Sequence, residues 1–307
     1  MYEAFYGFNE KPFSLLPDPG FLYMGKKHST AYAMLQYGLS NQAGFTVITG
    51  GIGCGKTTLL RHLLDELDDD VTVGLISNTQ QNVGHLLQWA LMAFGLDYRG
   101  KSKVELYEAF HDFLIDEYAA NRRTVLIIDE AQNLSADVLE EFRMLSNINA
   151  DKDQVIQMIL VGQPQLRELL RRPELEQFAQ RIAADYHLTA LSQSETAEYI
   201  HFRTRTAGVE KPMFDKHATD LIYRYTRGVP RLINTLCDPA LVSGYAEEAE
   251  IISASVVQMV AKDKAETGLL RLDYDHDPEA DAQSAAPMPA ATTRTKKPLR
   301  DNLVEFD

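Results

Sequence analysis

Cysteine and tryptophan are nearly missing from this 307-residue chain, which has two of the first, at positions 54 and 237, and one of the second. Two cysteines build no disulfide framework, and a reducing compartment suits them better than an oxidising one. No apolar run approaches the ~18 residues that cross a bilayer as a helix. The opening residues, MYEAFYGFNEKPF, have neither a basic segment nor an apolar stretch, so they do not read as a secretory signal. A chain of this kind working at a membrane is recruited there. Basic charge is short as well: 30 Lys and Arg face 44 Asp and Glu, a net charge of −14. That balance weighs against a protein holding nucleic acid through its overall charge, while leaving room for a local basic patch. What is present is ordinary for a globular protein, with 45% hydrophobic and 24% charged residues. At ~150 residues per domain, the length suggests about two domains, or one large domain with a lid and a tail.

Composition divides the chain into four regions. Residues 1–43 are aromatic-rich, broken by Pro12, Pro17 and Pro19, and turn helical from His28. Residues 44–190 alternate apolar strands with amphipathic helices. Residues 191–266 read as helices only, and residues 267–307, rich in Ala, Pro, Asp and Thr, read as a disordered tail. Strands are expected at 45–49 (FTVIT), 71–77 (VTVGLIS), 124–128 (TVLII), 155–161 (VIQMILV) and 185–188 (DYHL). Their continuous apolar character implies burial on both faces, hence a parallel sheet. Helices are expected at 55–67, 82–94, 104–121, 135–147 and 173–182, the last with Pro173 in its first turn. Ser192 and Glu195 form a capping box that opens the helical region. Pro239 is expected to kink or split its helix. Leu86, Leu87, Trp89 and Phe94 share one apolar face and read as core. This alternation predicts an α/β fold of the P-loop type, a five-stranded parallel sheet sandwiched by helices and followed by an all-helical lid.

The motif that carries chemistry is Gly50-Gly51-Ile52-Gly53-Cys54-Gly55-Lys56-Thr57, followed by Thr58. It matches G-x-x-x-x-G-K-[ST] in the required setting, after a strand and before a helix. Glycines let backbone N–H groups turn inward around phosphates, and the helix N-terminus adds fixed positive potential. Lys56 is then expected on the β- and γ-phosphates and Thr57 on Mg²⁺. About 70 residues later an apolar run ends in Asp129-Glu130. Strand tips of open parallel sheets are where ligands bind. Asp129 is expected in the Mg²⁺ shell, and Glu130 is expected to orient and deprotonate the attacking water.

Other residues are open to two readings. Gln163 ends the fourth strand, as a γ-phosphate sensor or as a turn residue before Pro164. Arg181, with Arg171 and Arg172 as competitors, is a candidate arginine finger acting on a neighbouring subunit; the plain reading is a surface arginine paired with Glu174 or Glu176. Arg231, in Gly228-Val229-Pro230-Arg231, sits in the first turn of a helix, where its charge opposes the macrodipole and calls for an anionic partner such as a nucleotide phosphate. Cys54 is either a small residue that fits or an oxidation-sensitive thiol, its pKa lowered by the helix N-terminus.

The P-loop, the Asp129-Glu130 pair, the sensor-position strand, Arg181 and the Gly-x-Pro-Arg element together resemble an AAA+ ATPase over residues 1–264. More specifically, FYGFNEKPFSLLPDP, HSTAYAMLQYGL, DEAQNLS and LVGQPQLRELLRRPELEQFAQRI resemble the ExeA/GspA-type (MshM-like) secretion ATPases. Overall similarity points to the branch associated with exosortase A (XrtA)/PEP-CTERM systems, which make and export exopolysaccharide. The resemblance implies ATP hydrolysis with ATP and Mg²⁺, a homo-oligomer formed as an ATP-dependent ring or filament, and a role in cell-envelope export. It also implies a cytoplasmic protein, peripheral at the inner membrane through a secretion or polysaccharide-export partner. ExeA members continue into a transmembrane helix and a peptidoglycan-binding domain, which this sequence lacks. The resemblance places the N-terminal segment by the adenine, with Phe13, Leu15 and His28 as candidates; plain core is the alternative for Phe13 and Leu15. The competing function is a nucleotide-gated DNA-binding regulator of the transposition-ATPase type, against which the negative charge weighs. The DEAQ string matches a helicase box, but no other helicase motif accompanies it.

Overall fold

The computed structural model describes residues 1–41, 44–77, 86–150 and 153–267. The tail expected from 267 therefore lies, but for its first residue, outside the described residues, as does the start of the helix expected at 82. Residues Met1–Leu272 form one compact unit.

After a five-residue helix α1 (Tyr2–Tyr6), the chain forms α2 (Lys26–Ser40) and the first strand, β1 (Phe45–Gly50). Then follow α3 (Lys56–Asp65), β2 (Val71–Ile76), α4 (Leu86–Ala93), α5 (Lys103–Ala119) and β3 (Arg123–Ile128). Helix α6 (Ala136–Leu145) leads into a short antiparallel pair, β4 (Asn149–Ala150) and β5 (Asp153–Gln154). Next come β6 (Ile156–Gly162), α7 (Pro164–Leu170), the short α8 (Glu176–Ala179) and β7 (Ile182–Leu188). Four helices close the described chain: α9 (Gln193–Thr206), α10 (Lys216–Thr226), α11 (Pro230–Ala246) and α12 (Ala254–Glu266).

The five long strands form one parallel sheet in the order β2-β3-β6-β1-β7. Side chains alternate between its faces, as the period of a strand requires. From β3, Leu126 and Ile128 enter the core covered by α4 to α8, while Val125 and Ile127 enter the core covered by α2 and α3. β6 divides in the same way, with Met158 and Leu160 on one side and Ile159 and Val161 on the other. Register places Thr49 beside Gly162 and Ile128 beside Leu160. The carboxyl tips of β1, β6 and β3 therefore lie level, with β6 between the other two.

Local sequence sets the helix starts. Ser102 and Glu105 make a capping box for α5, Ser192 and Glu195 make one for α9, and Ser135 caps α6. The helix expected at 173–182 is not continuous. Pro173–Leu175 is a 3₁₀ turn, α8 lasts four residues, and Ile182 already pairs with Phe45 in the sheet. Pairing with β1 takes the backbone out of the helical region before the pattern of side chains ends. Pro239 does not split α11, which runs unbroken past it. Its neighbours Cys237, Ala240 and Leu241 are fully buried, and that packing holds the helix through one missing N–H.

The N-terminal segment, expected by the adenine, is divided between two cores. Helix α2 buries Ala31, Tyr32, Leu35 and Leu39 against the sheet face that holds α3. Tyr2, Tyr6, Phe8, Phe13 and Phe21 instead join the core of α9 to α12. The Tyr2 hydroxyl donates to Asp238 Oδ1 at 2.5 Å. Arg203, 6% exposed, donates from Nε to the Pro12 carbonyl at 2.5 Å and from Nη2 to the Ser14 carbonyl at 3.3 Å. Its guanidinium lies 4.4 Å from the centre of the Phe21 ring. A buried charge is tolerable when its N–H groups are met in this way.

Candidate nucleotide site

The loop between β1 and α3 turns on Gly53 and Gly55, with φ of 78° and 95°. L-residues avoid this left-handed region, so glycine is the default there. Gly53 is also where α11 touches the loop. The Arg231 N–H donates to the Gly53 carbonyl at 3.1 Å, and a β-carbon on Gly53 would lie 2.6 Å from that of Arg231. Lys56 Nζ folds back onto the loop, donating to the Gly50 carbonyl at 2.8 Å and the Gly51 carbonyl at 3.1 Å. Burial lowers the pKa of its ammonium, and the nearby Cys54, Glu130 and Asp129 oppose that shift.

Thr57 Oγ1 donates to Asp129 Oδ2 at 3.2 Å, joining the start of α3 to the tip of β3 across 72 residues. Burial and, after it, the Glu130 charge push the Asp129 carboxyl upward; the Glu130 N–H, donating to Asp129 Oδ1 at 2.9 Å, partly offsets this. Two hard oxygens beside an excess of negative charge suit Mg²⁺. Among the described residues no group of three or more His, Cys, Asp or Glu side chains could hold a metal ion. The donor set therefore fits an ion that is shared with phosphate oxygens, as Mg²⁺ commonly is.

Glu130 adopts φ 54°, ψ 35°, a left-handed conformation that a side chain this long seldom takes. Its Oε2 accepts from Gln132 Nε2 at 2.6 Å and from Gln163 Nε2 at 3.1 Å. The Gln163 N–H in turn donates to Gln132 Oε1 at 2.8 Å. Burial pushes the Glu130 carboxyl upward, but these two amides and the Lys56 charge outweigh it and hold the pKa below the ordinary value.

Beside these groups lies a cavity of about 240 Å³. Ile52, Gly53, Gly55, Lys56, Thr57 and Thr58 line its loop side, with Glu130 and Gln163 at the strand tips and Arg231 from α11. The lining also includes the apolar Leu15, Leu16, Pro17, Phe21, Leu22 and Leu191, with Asp18 and Arg203 among them. Tyr199 lies there too, its hydroxyl donating to Asn234 Oδ1 at 2.7 Å while Asn234 Nδ2 holds the Ser14 carbonyl at 3.2 Å. A lining that combines the glycine-rich loop, charged groups and apolar side chains in this way suits a nucleotide.

Most of the residues singled out from sequence converge here, and some do not. Leu15 and His28 line the cavity, whereas Phe13 is buried against Phe214 in the helical core. His28 sits beneath the loop, with Nε2 3.0 Å from the Cys54 carbonyl. A carbonyl only accepts, so Nε2 carries the proton; burial keeps the ring neutral by lowering its pKa. Of the two readings of Cys54, the structure supports the small residue that fits rather than the activated thiol: it is 4% exposed, and burial pushes its pKa up despite Lys56 nearby. Arg181 lies outside the cavity lining and pairs with neither Glu174 nor Glu176. It donates to Ser146 Oγ at 2.8 Å and to the Arg143 carbonyl at 3.4 Å, at the end of α6. Glu174 pairs instead with Arg172, at 3.6 Å. Sequence reasoning missed Gln132, Arg203 and Asn234. Only Gln132 had a visible signal, its place in the DEAQ string.

The sequence model of the AAA domain family matches residues 39–170. General secretion pathway protein A of Aeromonas hydrophila is 39% identical over 262 residues, 85% of this chain and 48% of that protein. The chain thus spans about half the length of that relative. Among solved structures, the ORC2 protein of Aeropyrum pernix in its ADPNP-ADP complexes superposes with a TM-score of 0.60 at 19% identity, over 85% of this chain and 75% of that one. The ORC1 protein of the same organism in complex with DNA does so with a TM-score of 0.60 at 15% identity, over 83% and 69%. At such identity these two speak for the fold alone. Residues 39–170 therefore form an AAA domain on a P-loop ATPase fold, and the chain is similar over 85% of its own length to General secretion pathway protein A.

Proposed function

We propose that this ATPase uses the cavity beside Lys56 and Glu130 as its hydrolytic site and spends the energy on cell-envelope export. The observation that carries the reading is the Thr57–Asp129 contact, which brings the loop and the strand tip together with Lys56, Glu130 and Gln163 around one cavity. Backbone N–H groups of residues 50–58 cradle the phosphates. Lys56 leaves the loop carbonyls for the β- and γ-phosphates, and Arg231 closes on them from α11. Thr57 and Asp129 hold Mg²⁺, which when bound neutralises phosphate charge. Glu130 takes a proton from water as the water oxygen bonds to the γ-phosphorus. The bond from that phosphorus to the β,γ-bridging oxygen breaks, and ADP leaves with the electron pair. Gln163, in the cavity lining, senses the γ-phosphate and its loss. Arg181, or one of the exposed Arg171 and Arg172, completes the site from a neighbouring copy in a ring or filament.

The domain division follows the same reading, with an ATPase core at 44–190, a helical lid at 191–266 and an N-terminal segment joining them. Kinship with General secretion pathway protein A supports work for a secretion system, and the narrower exopolysaccharide (exosortase-associated) role rests on the resemblance read from sequence alone. Among the described residues no helix is long and apolar enough to cross a membrane, which suits recruitment from the cytoplasm by an inner-membrane partner. The test is ATP turnover with Mg²⁺ over a range of protein concentration. Wild type is expected to turn over, Glu130→Gln to bind ATP with only a small residual turnover, and Lys56→Ala to lose nucleotide binding in a fluorescent-nucleotide titration. Equal turnover by wild type and Glu130→Gln would refute the site. Stimulation by double-stranded DNA and not by membrane components would move the role to a DNA-directed regulator.

A further inference from the structure

We propose that Gln132 is a positioning residue for hydrolysis, setting the direction of the Glu130 carboxylate and tying it to the tip of β6. The inference rests on the reading of Glu130 as the base. A primary amide carries a donor and an acceptor in one plane, and Gln132 uses both. Its Nε2 donates to Glu130 Oε2 at 2.6 Å, and its Oε1 accepts the Gln163 N–H at 2.8 Å. The Gln163 side chain donates to the same carboxylate oxygen at 3.1 Å. Two donors on one oxygen fix the rotation of the carboxylate about its last torsion.

Two further features point the same way. Glu130 is held at φ 54°, and a side-chain-bearing residue stays there when its surroundings impose the conformation. The Gln132 bond closes across the 3₁₀ turn Ala131–Asn133 that follows Glu130 directly. On the other strand, the glycine at 162 leaves room for the amide. A β-carbon there would lie 3.0 Å from Gln132 Oε1 and 2.9 Å from Leu166 Cδ2. Glu130 and Gln163 line the cavity and Gln132 does not, so it reaches the reaction through its partners. A leucine or methionine there would satisfy neither partner, a glutamate would set a second carboxylate against Glu130, and an asparagine would fall one methylene short.

The test measures ATP turnover and fluorescent-nucleotide affinity in the full chain for Gln132→Ala, Gln132→Asn and Gln132→Glu, and for Gln132→Ala added to Glu130→Gln. Misplacing a reacting group by about an ångström costs on the order of a hundredfold in rate. Gln132→Ala is therefore expected to lower kcat by roughly ten- to a hundredfold, with nucleotide affinity kept within about twofold. Gln132→Asn falls between, and Gln132→Glu is worse than alanine. Added to Glu130→Gln, Gln132→Ala leaves the residual rate unchanged, because the group it positions has gone. A wild-type kcat in Gln132→Ala would overturn the proposal. So would parallel losses of affinity and turnover, which mark a purely structural role, or a further tenfold loss in the Glu130→Gln background. Full turnover by Glu130→Gln alone would remove the base assignment, and this inference with it.

Discussion

Gly228 fixes how the last helices meet the nucleotide loop, and replacing it by alanine tests that geometry. Its φ is 72°, and an added β-carbon would lie 1.9 Å from the Leu191 carbonyl oxygen and 2.8 Å from its carbonyl carbon. These are backbone atoms, so the clash cannot be relieved by a rotamer. The Leu191 N–H also donates to the Gly228 carbonyl at 2.9 Å, so the two segments cannot part without losing that bond. The left-handed conformation costs an L-residue about 1–2 kcal/mol, and a forced backbone shift adds about 1–3 kcal/mol. Gly100 supplies the control. Its φ is 71°, and a β-carbon there meets nothing within 4 Å. Gly100→Ala therefore carries the conformational cost alone. In a chain of this size about 2–4 °C of melting temperature is lost per kcal/mol, so Gly228→Ala should melt roughly 2–12 °C below Gly100→Ala. Gly228 also stands three residues before Arg231, whose N–H meets Gly53, so nucleotide affinity should fall in Gly228→Ala and not in Gly100→Ala. Thermal melts followed by a fluorescent-nucleotide titration decide the matter. Equal melting temperatures for the two variants would refute the reasoning.

Cys54 and Cys237 are both buried, and burial raises both thiol pKa values. Neither should react with a disulfide reagent such as Ellman's at pH 7 until the chain is unfolded, and rapid titration of either thiol in the native protein would contradict their placement. The folded-state pKa of His28 is lowered from 6.5, chiefly by burial. The unfolded chain takes up that proton first as pH falls, so the stability His28 contributes is present above about 6.5 and is lost below it, down to the lower folded value. Urea midpoints measured from pH 7.5 to 5.5 should fall for wild type and fall less steeply for His28→Gln; equal slopes would exclude the linkage. His187, also lowered, keeps the variant's slope from vanishing.

The legible part of the site was the part written in consecutive residues. The turn from β1 into α3 needs glycines at fixed places within eight residues, and the carboxylates at 129 and 130 follow directly on the apolar run that makes β3. Gln132 was not legible, because its meaning depends on the Gln163 backbone 31 residues later. Read in one dimension, its four-letter setting matched an unrelated box. Arg181 reads from sequence as an arginine finger or as a surface arginine paired with Glu174 or Glu176, since nothing local shows that the end of α6 lies within its reach. The fold was read well because the central strands β1, β3 and β6 are apolar and buried on both faces, which leaves one solution, whereas the edge strands β2 and β7 are only partly buried. The break at α8 was not read, because the pull of β1 on Ile182 is a tertiary effect acting against a helical pattern.

The aromatic stretch at the start of the chain has a consequence in time. Tyr2 meets Asp238, and the two are 236 residues apart in sequence. At synthesis rates of about 5–20 residues per second, that partner follows by roughly 12–50 seconds. Through that interval Tyr2, Tyr6, Phe8 and Phe13 have no finished core to enter, while the sheet that begins at Phe45 can already be assembling. These four aromatic residues are thus made long before the helices that bury them, and stay open to solvent until those helices arrive.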